Sequence, residues 1–142
     1  MPDDSANALR GGATPRPLGT PFNLSEVVVG LQRDGNACLF PNAPGPPVRI
    51  AGLTVGAPLM TRPAPHAGEM HPDGDELLFV VSGRVAVLLE EPGSHRALEL
   101  RPGQALVVPR GVWHRVLPKE PSQLVHITPG PGGEHRPLPG AA

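Results

Sequence analysis

The sequence is poor in the residues that cross-link chains and stack on bases. Of its 142 residues one is cysteine, Cys38, none is tyrosine, and only 3% are aromatic. A single cysteine excludes a disulfide within the chain and is typical of a reducing, cytoplasmic setting. Because Cys38 lies in the apolar run "NACLF", we interpret it as a small buried residue and not as a nucleophile.

The chain also lacks an excess of charge of either sign. Its 12 basic and 13 acidic residues give a net charge of -1, and no basic stripe is visible. Since phosphate contacts and base stacking carry nucleic-acid binding, no nucleic-acid partner is expected. No apolar run approaches the ~18 residues that a membrane span needs. The acidic, polar start "MPDDSANALRGG" has no apolar core of a secretory signal. We therefore expect a cytoplasmic protein without a membrane partner.

Glycine and proline are abundant, with 18 and 21 residues, and many of them separate short apolar runs. Ten such runs at roughly even spacing, with no helical period, predict an all-β antiparallel sandwich or closed barrel. We expect a flexible arm over residues 1–20, one barrel domain over 21–128 and a Pro/Gly-rich tail over 129–142. The predicted strands are "SEVVVGL", "NACLF", "VRIAGLTVG", "LMTR", "ELLFVV", "RVAVLLE", "HRALEL", "QALVVP", "VWHRVL" and "SQLVHI".

A cluster of acids and imidazoles precedes one of the most apolar runs, in "HAGEMHPDGDELLFVV". Because side chains alternate between the two faces of a strand, Glu69 and His71 share a face. By the same rule Glu76 shares a face with apolar residues of its strand, and His114 lies among valines in "VWHRVL". Polar side chains from three strand segments are thus expected to point into one apolar barrel.

Burying carboxylates in such a barrel is costly. Each unpaired buried charge costs several kcal/mol, and two carboxylates in one core repel each other. A bound divalent cation removes both costs. The pattern therefore favours a metal site inside the barrel.

The same residues resemble the two motifs of the cupins, G-x5-H-x-H-x(3,4)-E-x6-G and G-x5-P-x-G-x2-H-x3-N. Here "EMHPDGDELLFVVSG" is similar to the first motif, and "GQALVVPRGVWH" matches the second up to its histidine. The likeness covers about residues 50–128. It implies a cupin fold, which is a jelly-roll barrel, also described as a double-stranded β-helix.

Carried over position by position, the resemblance implies the metal ligands Glu69, His71, Glu76 and His114. Glu69 takes the place of the first motif's leading histidine, so the set contains two carboxylates, which neutralise a divalent ion. Nitrogen and oxygen ligands without a thiolate suit iron, manganese, nickel or zinc. The closing asparagine of the second motif is Pro118 here, a departure that concerns the end of a strand and not the metal.

Several histidines have alternative roles. His66 has the opposite parity on a regular strand, so it is a ligand in place of Glu69 only if Gly68 forms a bulge. His126 either lines the pocket or is a surface or hydrogen-bonded core histidine. His95 and His135 lie in polar surroundings and are interpreted as solvated. A metal-free barrel whose two glutamates line a wet mouth is a further alternative.

Two classes of function fit these residues. The first is a metal-dependent enzyme acting on a small molecule, as a Lewis-acid isomerase, epimerase or lyase or as an iron-dependent dioxygenase. Glu69 is a candidate general base if it leaves the metal. The second is a non-catalytic metabolite- or metal-binding sensor barrel, since fold does not fix function. An accessory protein that acts with a partner is a third interpretation.

The expected partners are a small-molecule ligand or substrate and a second copy of the chain. A homodimer is expected through "SEVVVGL" or through the face of Trp113, because a small barrel can cover an edge strand by pairing. Candidates to bind an anionic substrate are Arg62, Arg84, Arg101, Arg110 and Arg115, although parity places Arg115 outward.

Overall fold

Residues 18–140 of the computed structural model are described here, and they form twelve β-strands and no helix. The predicted arm over residues 1–20 therefore lies almost entirely outside the described residues. The strands are β1 (Val27–Gln32), β2 (Ala37–Pro41), β3 (Gly52–Gly56), β4 (Leu59–Met60), β5 (Glu69–Met70), β6 (Glu76–Ser82), β7 (Val85–Glu91), β8 (Ser94–Leu100), β9 (Ala105–Val108), β10 (Trp113–Pro118), β11 (Ser122–Gly130) and β12 (Glu134–His135). Within residues 18–140 there is accordingly no helix that would be long and apolar enough to cross a membrane.

The strands form two antiparallel sheets. The larger sheet has seven strands in the order β2-β1-β3-β11-β6-β9, and β4 also pairs with β11. The smaller sheet has five strands in the order β12-β5-β10-β7-β8. All strand pairs are antiparallel, so the prediction of an all-β antiparallel jelly roll is confirmed.

The main core lies between the two sheets and follows the two-residue period of the strands. In β6 the residues Leu78 and Val80 are buried, whereas Leu77 and Phe79 between them are only partly buried. The buried core residues are Leu78, Val80, Val85, Val87, Leu89, Leu100, Val108 and Leu124. Cys38 belongs to a second buried cluster with Phe40 and Ile50.

The outward side of the larger sheet is apolar as well. One row runs through Val29, Val55, Ile127, Leu77 and Val107, which are register partners across five neighbouring strands. The same face carries Leu31, Leu53, Phe79, Val81, Ala105 and Val125. We call this set of residues the outer apolar face.

The C-terminal segment takes part in the fold. The predicted tail began at residue 129, but β11 extends to Gly130, and β12 pairs with β5 through Glu134 and His135. β12 has only two residues and lies in a segment rich in proline and glycine. It is too short to show a strand period, so it could not be predicted from the sequence. This strand brings His135 opposite Glu69.

Candidate metal centre

Three strand segments position the four residues implied as metal ligands. Glu69 begins β5, and His71 follows that strand directly. Glu76 begins β6 in the other sheet. His114 lies in β10 and is the register partner of Glu69. The structure therefore brings together all four residues, which are Glu69, His71, Glu76 and His114.

The side chains converge on the Glu76 carboxylate. Its Oε1 lies 2.9 Å from His114 Nε2, and its Oε2 lies 3.2 Å from His71 Nε2. Glu69 Oε1 lies 3.4 Å from His114 Nε2 and 3.8 Å from His71 Nε2. One ligand atom from each of the four residues lies within 4.8 Å of the other three. Two nitrogens and two carboxylates thus enclose a space of the size that a single cation fills.

The hydrogen bonds of the two imidazoles suit a metal. His114 Nδ1 lies 3.0 Å from the Val112 carbonyl oxygen, so Nδ1–H donates to it and Nε2 faces the carboxylates, where it would bind an ion after losing its proton. Such an outer hydrogen bond is the usual way of fixing the tautomer of a ligating histidine. Both ring nitrogens of His71 are buried and have no hydrogen-bond partner of good geometry within residues 18–140. Among the described residues, His71 Nε2 makes only ion-pair contacts with Glu69 and Glu76, and the buried Nδ1 makes none. A buried polar group needs a partner, and an ion held between the imidazoles and the carboxylates would supply one, so these residues fit a metal ion.

The histidines and glutamates of the cluster shift each other's pKa values. Burial lowers the pKa of His71, but close contacts with Glu69 and Glu76 outweigh it and raise the pKa to about 9. The same balance raises the pKa of His114 to about 10. Burial raises the pKa values of Glu69 and Glu76, but the histidines around them hold both pKa values below their usual range. Without a metal, two imidazolium protons therefore neutralise the two carboxylates.

The second oxygen of Glu69 faces a different pair of histidines. Glu69 Oε2 lies 3.3 Å from His135 Nε2 and 3.8 Å from His66 Nε2. The Gly68 backbone N–H donates to His66 Nδ1 over 3.1 Å, and Gly68 has a φ of +144°, a conformation that favours glycine. His66 thus comes to the cluster beside Glu69 and does not replace it. His135 is exposed, as its polar surroundings predict, and it also lies next to Glu69, which was not predicted.

His126 is connected to the cluster through a hydroxyl. The Thr128 hydroxyl donates to Glu76 Oε2 over 2.6 Å, so it must accept from His126 Nδ1–H, which lies 2.8 Å away. Because Nδ1 carries the proton, His126 Nε2 has a lone pair that takes no part in this hydrogen bond. Burial lowers the pKa of His126. Gly56 lets the ring pack closely, since a Cβ there would lie 2.6 Å from His126 Nε2. His126 lines the cavity as a neutral imidazole, and Thr128 was not predicted.

A cavity of about 520 Å³ opens onto the cluster. This volume is typical of small-molecule sites. The Pro-rich segment 41–48 and the chain at 129–133 contribute to its wall, together with apolar side chains of the barrel. His126, His66 and His135 also line it.

The arginine that lines this cavity is Arg49, which was not among the predicted candidates. None of the five predicted arginines does so. Arg84 and Arg101 lie beside Glu99, and Arg110 binds the turn before β6, where its backbone N–H donates to Asp75. No signal in the local sequence distinguishes Arg49, because the segment before it has no strand period.

Trp113 points away from the cluster and is partly covered by its own chain. The Arg136 guanidinium carbon lies 4.0 Å from the centre of the Trp113 ring, and Arg136 Nη1 lies 2.6 Å from Glu90 Oε2. This cation–π contact holds the C-terminal segment against the smaller sheet.

Comparisons with known proteins agree with this architecture. Residues 61–130 match the family model of the Cupin domain. No curated protein sequence matches the chain significantly. The solved structures described below are each less than a quarter identical to this chain, so they bear on the fold alone.

Three of these structures illustrate the range. Peruvianin-I, described as a cysteine peptidase from Thevetia peruviana latex, is 16% identical, with a TM-score of 0.55 over 84% of this chain and 72% of that one. Oxalate decarboxylase from Bacillus subtilis, described as having Mn(II) centres, is 18% identical, with a TM-score of 0.51 over 58% of this chain and 23% of that one. A cupin-2 domain protein from Shewanella frigidimarina is 23% identical, with a TM-score of 0.48 over 62% of this chain and 83% of that one.

Proposed function

We propose, from the premise that this chain belongs to the cupin superfamily, that it binds one divalent metal ion and acts on a small molecule in the barrel cavity. Glu69, His71, Glu76 and His114 would hold the ion. The observation that carries this proposal is the buried His71 ring, whose two nitrogens lack a hydrogen-bond partner in the described chain while two carboxylates converge beside it. The donor set of nitrogen and oxygen suits iron, manganese, nickel or zinc.

Catalysis is supported by the arrangement around His126. A bound ion would supply Lewis acidity or, as iron(II), dioxygen chemistry. The chain itself supplies a neutral imidazole at the cavity wall, oriented by Thr128 so that the Nε2 lone pair is available. A neutral imidazole with a free ring nitrogen is the form of histidine that can accept a proton, as the general base of an isomerase, epimerase or lyase does. His126 is therefore a better candidate for this role than Glu69, which lies among three histidines.

A non-catalytic binding barrel is the second candidate, and the number of protein ligands favours it. Four protein ligands complete a tetrahedral zinc site and leave no position for a substrate. An ion that takes six ligands would keep two positions open. The identity of the metal therefore separates the two functions.

The deciding experiment is elemental analysis by mass spectrometry of untagged protein purified without chelators. We expect close to one ion per chain in the wild type, and its loss in Glu69→Ala and in His114→Ala. The control is His95→Ala, which removes an exposed histidine of β8 and should keep the metal. Iron, manganese or nickel would support an enzyme, and zinc the binding barrel. A wild type that takes up none of the four ions would contradict the metal centre.

Homodimer formation is also part of the proposal, through the outer apolar face. Five strands about 4.8 Å apart and three rows of residues about 6.6 Å apart give a patch of roughly 500 Å². That is near the lower limit of about 500 Å² per partner for a specific interface. The face contains no charged residue, and two flat sheet faces of this kind pack together with aligned strands. Because β1 contributes Val29 and Leu31, this favours the "SEVVVGL" interface over the Trp113 face, which Arg136 partly covers.

A further inference from the structure

Arg49 is the cationic side chain on a cavity wall whose acids belong to the metal cluster. Those acids are Glu69 and Glu76. With a divalent ion bound, the two carboxylates are neutralised by the metal. Arg49 is the one lysine or arginine residue among the described residues that line the cavity, so its charge is then not compensated. The loaded site therefore presents a positive charge to whatever enters.

The position of Arg49 is fixed by the backbone. Its Nη1 donates to the carbonyl oxygens of Pro131 and Gly133, over 2.8 and 2.7 Å. Gly133 in turn lies against the metal cluster, since a Cβ at that position would lie 3.1 Å from His71 Nδ1. Gly133 thus lies between the guanidinium and the ring of His71, which is a proposed metal ligand.

Within the described part of the chain, the remaining nitrogens of this guanidinium have no partner. Within residues 18–140 no carboxylate lies within ion-pair distance of Arg49, and its Nε and Nη2 make no hydrogen bond. The adjoining mouth segment 41–48 contains no acid. The Nε and Nη2 edge of a guanidinium presents two parallel N–H donors, which match the two oxygens of a carboxylate.

We infer that the ligand of this cavity is a small monocarboxylate with an apolar body, whose carboxylate binds Arg49. The apolar body would lie on Val28, Phe40, Met60, Val116 and Leu124, which line the same cavity. This inference rests on the proposed function, because the charge balance that leaves Arg49 uncompensated assumes a bound divalent ion.

The test compares straight-chain carboxylates from acetate to octanoate with their uncharged amides, by calorimetric titration of metal-loaded protein. Arg49→Gln keeps amide donors for the Pro131 and Gly133 carbonyls but removes the charge. Arg33→Gln is the matched control, since it removes one charge from an arginine that does not line the cavity. We expect hexanoate to bind at least about tenfold more tightly than hexanamide. Arg49→Gln should abolish this preference, and Arg33→Gln should retain it.

Metal content is measured on the same samples, so the two failures are distinguishable. A wild type without metal contradicts the proposed function, and hexanoate is then titrated into metal-free wild type and Arg49→Gln. In either state, equal hexanoate affinity of these two proteins overturns the inference, because the carboxylate then does not use Arg49. Failure of the whole carboxylate series to bind also overturns it.

Discussion

Both faces of the larger sheet depart from those of an ordinary antiparallel sheet: the inner face adds polar residues to its apolar core, and the outer face is apolar. Such a sheet is apolar toward the core and polar toward water. Here Glu76 and Thr128 face the cavity from β6 and β11, whereas Leu77 and Ile127, one residue along each strand, point outward. The polar end of the inner face therefore requires a bound ion, and the outer face requires an apolar surface packed against it. Three changes of condition or sequence test these requirements separately.

The largest effect is expected from pH, and it acts on the inner face. In metal-free protein the pKa values of His71 and His114 are raised to about 9 and about 10, from a usual value of 6.5. Their contribution to stability is therefore fully present below pH 6.5 and is lost as the pH rises through about 9 to 10. We expect the free energy of unfolding of chelator-treated protein to fall by a few kcal/mol over this range, as measured by urea titration.

Metal binding should show the reverse dependence. The ion displaces both imidazolium protons, so its affinity should rise about 100-fold per pH unit below pH 9. A chelator-competition titration at several pH values measures this slope. A metal affinity independent of pH would show that the two histidines are not both ligands.

A smaller effect on the inner face is expected from the Thr128 hydroxyl. Thr128→Val keeps the shape of the side chain but removes the hydrogen bond to Glu76 Oε2. Loss of such a bond to a metal ligand lowers affinity by about 10- to 100-fold. Competition with a coloured chelator measures the change. The control is Thr128→Ser, which retains the hydroxyl and should bind metal as the wild type does; equal affinity of the valine variant would contradict this role.

The smallest effect on stability is expected on the outer face. Val107 is 54% exposed, so Val107→Lys should change the free energy of unfolding by no more than about 0.5 kcal/mol. It should nevertheless dissociate the dimer, because two lysines would meet in an apolar interface. Sedimentation velocity should give twice 14.8 kDa for the wild type and 14.8 kDa for the variant. The control Ala97→Lys adds the same charge to an exposed position of the smaller sheet and should remain dimeric. A monomeric wild type would contradict the interface.

The parts of the molecule that follow a strand period could be predicted from the sequence. Alternation along "ELLFVV" correctly separates buried from outward residues, and along "VWHRVL" it correctly places His114 inside. The cupin motifs add the fold and the positions of the implied ligands. Together they predict that Glu69, His71, Glu76 and His114 meet, and the structure brings them together. Whether these four residues bind a metal remains a prediction for the elemental analysis.

The residues that escaped prediction lie where the backbone has no period. Arg49 follows a run of prolines, and its place is set by carbonyl groups of Pro131 and Gly133, more than 80 residues away in the chain. His135 is exposed as predicted, but its contact with Glu69 depends on a strand of two residues, which is too short to show a period. Contacts between segments that lie far apart in the chain cannot be predicted from the composition of either segment.

The place of β11 in the larger sheet has a consequence for biosynthesis. It lies between β3 and β6, although it follows both of them in the chain by more than 35 residues. A nascent chain that has emerged as far as β10 therefore exposes two unpaired strand edges beside an apolar surface. Such edges readily recruit other chains, and pairings between distant segments form slowly. We expect polypeptides stalled before residue 122 to need chaperones, and release of β11 to be the event that completes the larger sheet.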